Sequence, residues 1–159
     1  MKTQMAITYR PATLADLNFL IEARLDFIHL STADSQYDFI QTNIRRYFEK
    51  ALKENQCDSV LAEQNDTVIG TGIVFYYDSV PSLFNPCGKN AHVTSMFVDE
   101  KCRRQGIATA ILDKLILVAK AKGYPIFLLQ PSEMGKPLYE KYGFSEGQKG
   151  MLLKLEEER

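Results

Sequence analysis

Histidine and cysteine are scarce in this chain, charge of one sign is not in excess, and no long apolar run occurs. The three cysteines and two histidines among 159 residues contain no C-x-x-C pair and no zinc-ligand spacing, so no metal site and no disulfide framework is expected. Cys57, Cys87 and Cys102 read as reduced thiols. Cys87 sits in the turn-like Asn85-Pro86-Cys87-Gly88 with no histidine at a motif spacing to activate it. The 19 basic and 20 acidic residues sum to −1, so no general field draws the chain to nucleic acid or to an anionic membrane. Any anion it binds must be held locally. No stretch approaches the roughly 20 apolar residues that cross a bilayer. The opening MKTQMAITYRPAT lacks a signal peptide's continuous apolar core, and the cytoplasm is the expected compartment. Two nucleotide fingerprints are also missing. There is no G-x-x-x-x-G-K-[ST], and Gly70-Thr71-Gly72 is followed by Phe75 where the Rossmann pattern requires glycine.

What is present, 45% hydrophobic and 25% charged residues, describes one globular domain over residues 1–159, with no linker, repeat or low-complexity tract beyond an acidic end. Residues 5–10 alternate weakly and run into Pro11, which suits an edge strand. Thr13-Leu14-Ala15-Asp16 is a capping-box pattern opening a helix whose face carries Leu17, Ile21, Leu25 and Ile28. A second helix is expected through Phe39, Ile44, Phe48 and Leu52, ending near Asn55. Residues 59–63 and 68–77 read as a hairpin across Asn65-Asp66-Thr67. A proline- and glycine-punctuated loop over 79–90 then precedes a strand at 92–98. Apolar residues at helical spacing from Ile107 to Ala119 stop at Gly123, and 126–129 is a short apolar strand suited to a central position. A short helix over 137–142, ended by Gly143, and a last strand over 150–155 complete the order β-α-α-β-β-β-α-β-α-β, an α/β domain with a mixed sheet and helices on both faces.

Residues 96–109, MFVDEKCRRQGIAT, run from strand through loop to helix start. A helix opening in this way presents unpaired N–H groups and the positive end of its dipole, so it holds a phosphate without large net charge. Gly106 lets an anion approach the backbone, Ala108 keeps the next exposed position small, and Lys101, Arg103 and Arg104 screen phosphate charge at the rim. Taken alone, the same residues equally describe a solvated helix end.

Arg103-Arg104-Gln105-Gly106-Ile107-Ala108 resembles the signature R/Q-x-x-G-x-G/A of the GNAT superfamily of N-acetyltransferases. Leu138-Tyr139-Glu140-Lys141-Tyr142-Gly143-Phe144 is similar to the superfamily's downstream L-Y-x-x-x-G-F segment. The element order matches over nearly the whole chain. The resemblance implies a single domain with a twisted, mostly antiparallel mixed sheet whose two central parallel strands, at 92–98 and 126–129, splay apart to admit acetyl-coenzyme A (acetyl-CoA) as acetyl donor.

By position, the resemblance further implies that backbone groups of Met96, Phe97 and Val98 hold the pantetheine arm, with an N–H near Val98 polarising the thioester carbonyl. It implies that the amides of Arg103, Arg104, Gln105, Gly106, Ile107, Ala108 and Thr109 cradle the pyrophosphate. Tyr139 falls at the family's general-acid position. His92 falls where some members carry a glutamate base, on the face that simple alternation shares with Thr94 and Met96. It is equally at home as a hydrogen-bonded strand residue. An asparagine that contacts pantetheine in some members is absent, and Gln130 or Ser132 stands in its place.

The acceptor pocket is expected among Phe27, His29, Asp34, Tyr37, Tyr76, Tyr77, Asp78 and Phe84. Asp34 and Asp78 favour a cationic amine there, and the aromatics an apolar body. The implied activity is acetyl transfer to a primary amine by direct attack. A non-catalytic acyl-CoA sensor is the alternative. The last strand and acidic tail offer an edge for a homodimer.

Overall fold

Strand β1 (Thr8–Pro11) enters at the sheet edge, where Pro11, which has no N–H to donate, closes the ladder opposite Val60. In this computed structural model, residues 6–147, 151 and 153–155 are described. Met5, the first residue of the expected strand, lies outside them. The capping box forms as read. The Thr13 hydroxyl accepts from the Ala15 N–H at 3.2 Å, and Asp16 accepts from the Thr13 N–H at 2.8 Å. Asp16 also takes Arg10 at 2.9 Å, and Arg10 reaches Glu63 at 2.9 Å. This guanidinium holds the Asp16 carboxyl below the usual range and ties the start of helix α1 (Leu17–Phe27) to the sheet edge.

Helix α2 (Tyr37–Lys53) follows. Strands β2 (Cys57–Gln64) and β3 (Thr67–Asp78) then meet in a two-residue turn, with Asn65 at φ 51° and Asp66 at φ 59°. Two consecutive left-handed residues make the type I′ turn whose twist suits a hairpin. Strand β4 (Lys89–Val98) starts three residues before the expected 92 because Asn85 and Asn90 bond each other and the loop carbonyls of Lys89 and Gly88. That network organises the loop well before the apolar alternation begins.

Helix α3 (Ile107–Ala121), strand β5 (Ile126–Leu128) and helix α4 (Lys136–Tyr142) complete the described elements. The five-stranded sheet has the order β1-β2-β3-β4-β5, antiparallel except for the parallel pair β4–β5. Helices α1 and α2 bury Leu20, Ile21, Leu25, Phe48 and Ala51 on one face, against Leu61 and Ile73. On the other face α3 buries Ile107, Ile111, Leu112 and Leu115 against Val74, Ala91 and Val93. Gly70 and Gly72 explain how closely α3 lies. A methyl group at Gly72 would strike the Met96 sulfur and stand 2.9 Å from Ile111. These glycines, outside any nucleotide fingerprint, are packing residues.

Three expectations are corrected. Strand β5 is terminal rather than central among the described residues, and its three residues are only half-buried. Of the last strand expected over 150–155, Met151 and residues 153–155 form no strand and are exposed, while Gly150 and Leu152 lie outside the described residues. The apolar residues are there, but a strand needs a neighbour to take its N–H and C=O groups, and none of the described pairings includes this segment. Among the described residues, the dimer edge expected from it is therefore not formed as a strand.

The third correction concerns β4. Its ladder with β3 shifts so that Phe97 faces Thr71 while Thr94 faces Ile73, which inserts one extra residue at Ser95–Met96, with Ser95 at φ 51°. This β-bulge inverts the alternation beyond it. Thr94 and Ser95 point toward α1, where Arg24 bonds both, whereas Met96 packs with the α3 cluster. His92 and Met96 therefore lie on opposite faces.

Candidate active site

Parallel pairing between β4 and β5 ends at His92 with Leu128. Beyond it β4 runs on to Val98 with no described strand on that side, so the two strands form a fork whose open edge is main chain. Asp99 then caps a short 3₁₀ turn by accepting from the Lys101 N–H at 2.9 Å. The following loop is turned outward by two left-handed residues, Arg104 at φ 61° and Gly106 at φ 77°. Gly106 is the N-cap of α3 and has no side chain to cap it, so among the described residues no side chain caps the first turn. A Cβ at Gly106 would meet nothing within 4 Å.

The glycine is thus favoured by its φ and not by neighbouring protein. Arg103, Arg104, Gln105 and Gly106 are exposed, Ile107 is buried under the loop, and Ala108 and Thr109 are half-buried at the rim. The Arg103 Nε donates to the Val98 carbonyl at 3.1 Å, which folds the loop back onto the end of β4. An open cradle of uncapped amides beside exposed guanidinium groups fits a diphosphate.

Helix α4 docks on the α3 side of the sheet. Tyr142 donates to Asp113 on α3 at 2.6 Å and so serves as a docking residue, and burial, with this bond second, raises its phenol to about 12. Tyr139 is half-buried against the α3 cluster, its ring edge-on to Phe144 at 5.9 Å and lying close over Gly135. Burial raises its pKa, so the phenol keeps its proton. Among the described residues no group bonds its hydroxyl, which is not sealed from solvent. Ser132 accepts from the Gly135 N–H at 3.1 Å and so fixes the entry to α4, while Gln130 is exposed.

On the opposite face a cavity of about 380 Å³ lies between α1, α2 and the sheet. Ile40, Ile44, Tyr47, Phe48, Ile73 and Phe75 form its apolar wall, and Arg24, Asn43, Thr94 and Ser95 its polar end. His92 lies on this side, stacked on Phe75 with centroids 4.8 Å apart and planes 13° from parallel. Burial, and secondarily the Arg24 charge, lower its pKa below the ordinary 6.5.

Arg24 was legible in principle. It interrupts an apolar stripe, seven residues after Leu17 and four before Ile28 on the same helical face. Asn43 similarly interrupts the stripe of Ile40, Ile44 and Tyr47. None of the eight expected pocket residues lines this cavity. Tyr76 is buried on the α3 face, stacked on Tyr124 and donating to Asp58 at 2.7 Å, because its place on β3 alternates with Phe75. Asp34 accepts from the Ser31 N–H in a turn, Asp78 is exposed at the far end of β3, and Phe84 is exposed on the loop near β5. Phe27 stands under the Arg24 guanidinium at 5.4 Å, and neither His29, Tyr37 nor Tyr77 lines the cavity.

Residues 24–144, which include the cavity, the fork, the loop and α4, match the sequence profile of the acetyltransferase (GNAT) family. The chain belongs to that family. This acetyltransferase is similar over 94% of its length to a predicted acetyltransferase from Clostridium acetobutylicum solved with acetyl-CoA, of which 96% is covered, at 28% identity and a TM-score of 0.84. A GCN5-related N-acetyltransferase from Ralstonia eutropha shares its fold at 19% identity and a TM-score of 0.83, with 94% and 99% of the two chains covered. An aminoglycoside N-acetyltransferase solved with CoA does so at 13% identity and 0.76, with 97% of each chain covered. No curated protein matches the chain in sequence. As a family member the protein is an acetyl-CoA-dependent acetyltransferase.

Proposed function

We propose that this acetyltransferase moves the acetyl group of acetyl-CoA to a primary amine by direct attack within a ternary complex. One observation carries the reading. The fork and the cavity are two separate openings that meet along β4, where residues 94 and 95 face the cavity and 96–98 follow the fork. Two substrates held on the two sides of one strand react without an intermediate carrier on the protein. The cysteines support the same reading. None lines the cavity, and burial pushes the Cys57 thiol up to about 11, too high to supply much thiolate at neutral pH.

Bound acetyl-CoA supplies an activated thioester and a thiolate leaving group. The main chain of Met96, Phe97 and Val98 lies along the donor edge and orients the arm. The amides from Arg103 to Thr109 hold the pyrophosphate, with Gln130 and Ser132 flanking the arm from the β5–α4 connection. His92, kept neutral by its surroundings, accepts the proton that the ammonium must lose before it attacks. Tyr139, kept protonated by burial, donates at the departing sulfur. Free thiols at all three cysteines fit a reducing compartment such as the cytoplasm.

Initial rates measured across a grid of both substrate concentrations test the order of events. Intersecting double-reciprocal lines are expected. Parallel lines, the pattern of a covalent carrier, would overturn direct attack.

A further inference from the structure

We propose that the acceptor is an amine that also carries a carboxylate on an apolar body, the chemistry of an apolar or aromatic amino acid, and that Arg24 is the residue that recognises the carboxylate. The inference rests on the amine-transfer reading above and concerns the cavity on the α1–α2 face.

Arg24 is a half-buried cation at the polar end of an otherwise apolar cavity. One of its terminal nitrogens donates to the Thr94 hydroxyl at 3.1 Å and to the Ser95 hydroxyl at 3.2 Å, and its carbon lies 5.4 Å from the Phe27 ring centroid. No carboxylate among the described residues pairs with it, and none lines the cavity. Among the described residues its other N–H groups have no partner, and they are not sealed from solvent. A guanidinium fork matches the two oxygens of a carboxylate. Thr94 and Ser95 hold the fork in place from the bulge of β4.

The charge count selects the ligand class. An acceptor with several positive charges, such as a polyamine or an aminoglycoside, needs carboxylates on the wall, and the wall carries only a cation. One guanidinium balances one carboxylate, whereas a phosphate dianion would call for a second positive group. The six apolar wall residues accept the body of such a molecule, and about 380 Å³ is at the small end of ligand cavities. His92 does not itself line the cavity but stacks on Phe75 of its wall, which puts a base beside the proposed acceptor site.

The test uses a matched pair that differs only in the carboxylate. N-acetylphenylalanine and N-acetylphenethylamine are titrated calorimetrically into the full chain in the presence of CoA, for the native protein and for Arg24→Gln and Arg24→Lys. The native protein is expected to bind the acid about tenfold tighter or better, as a charge-assisted bidentate pair warrants. Arg24→Gln is expected to bring the two ligands within about threefold, and Arg24→Lys to retain part of the preference. Unchanged acetyl-CoA binding and melting temperature check that the variants are folded.

Equal affinity of the native protein for the two ligands, or a preference that Arg24→Gln leaves intact, would overturn the proposal. Turnover of phenylalanine and phenethylamine, followed as thiol release, separates the two readings. Selective binding of the acid without turnover of either amine would sink amine transfer while supporting the carboxylate site, and turnover of both amines at equal efficiency would do the reverse.

Discussion

His92 and Tyr139 are displaced in opposite directions by burial, because desolvation penalises whichever form is charged, the imidazolium in one and the phenolate in the other. On the proposed assignment this leaves a neutral base and a protonated acid at neutral pH. The expected acid limb of kcat/KM lies below the ordinary 6.5 of histidine, since the Arg24 charge adds to burial in disfavouring the proton. As pH falls through that limb His92 becomes protonated and the rate drops. In His92→Gln the limb disappears, whereas in Arg24→Gln it moves upward, because one of the two depressing causes is gone; pH–rate profiles of the three proteins check both. Phe75 from β3 and Leu128 from β5 flank His92 without charge. For Tyr139→Phe the expected result is a fall in kcat of about 10²-fold or more, within the range of general acid catalysis, with acetyl-CoA affinity nearly unchanged. Equal turnover would remove Tyr139 from the mechanism.

At the scale of elements, the start of α3 and the strand before it differ in what the sequence disclosed. On the proposed assignment the donor is held by backbone groups at the start of α3, so Gly106→Val is expected to weaken acetyl-CoA binding more than Arg104→Ala does. The valine side chain would enter open space and force a branched residue to φ 77°, whereas Arg104 is exposed and replaceable in part by solvent and by Arg103. Calorimetric titration of both variants decides the order. The loop and helix start at Gly106, the capping box at Thr13 and the Asn65-Asp66 turn were legible because each is a local pattern, in which residues two to six apart dictate their own backbone. The bulge at Ser95 was not. Nothing in HVTSMFV marks an extra residue, since its cause is long-range: Gly72 leaves the space that Met96 fills on the α3 side, and Arg24 draws Thr94 and Ser95 to the other. The terminal place of β5 was missed for a related reason, because three apolar residues fit a central or an edge position equally well.

Over the whole molecule the sheet separates two cores, and α3 lies close only because Gly70 and Gly72 offer it no side chains. Gly72→Val is expected to lower stability by about 1–3 kcal/mol, as overpacking does, and thermal unfolding measures it. None of the residues expected in the pocket lines the cavity, because it is assembled from α1, α2, β3 and β4, and Tyr76 could be placed only once the register of β3 was known.

The bulge also bears on how such an enzyme acquires a new substrate. On the proposed assignment, β4 presents main chain to the donor along its open edge and side chains to the acceptor across its face. Main chain is nearly indifferent to mutation, whereas side chains are what mutation rewrites. Position 94 and the side chains of the cavity wall are therefore free to drift toward another acceptor while the grip on the donor persists, and only insertion or deletion near Ser95 would exchange the two faces and lose both at once. The strand behaves as a fixed socket with an interchangeable jaw.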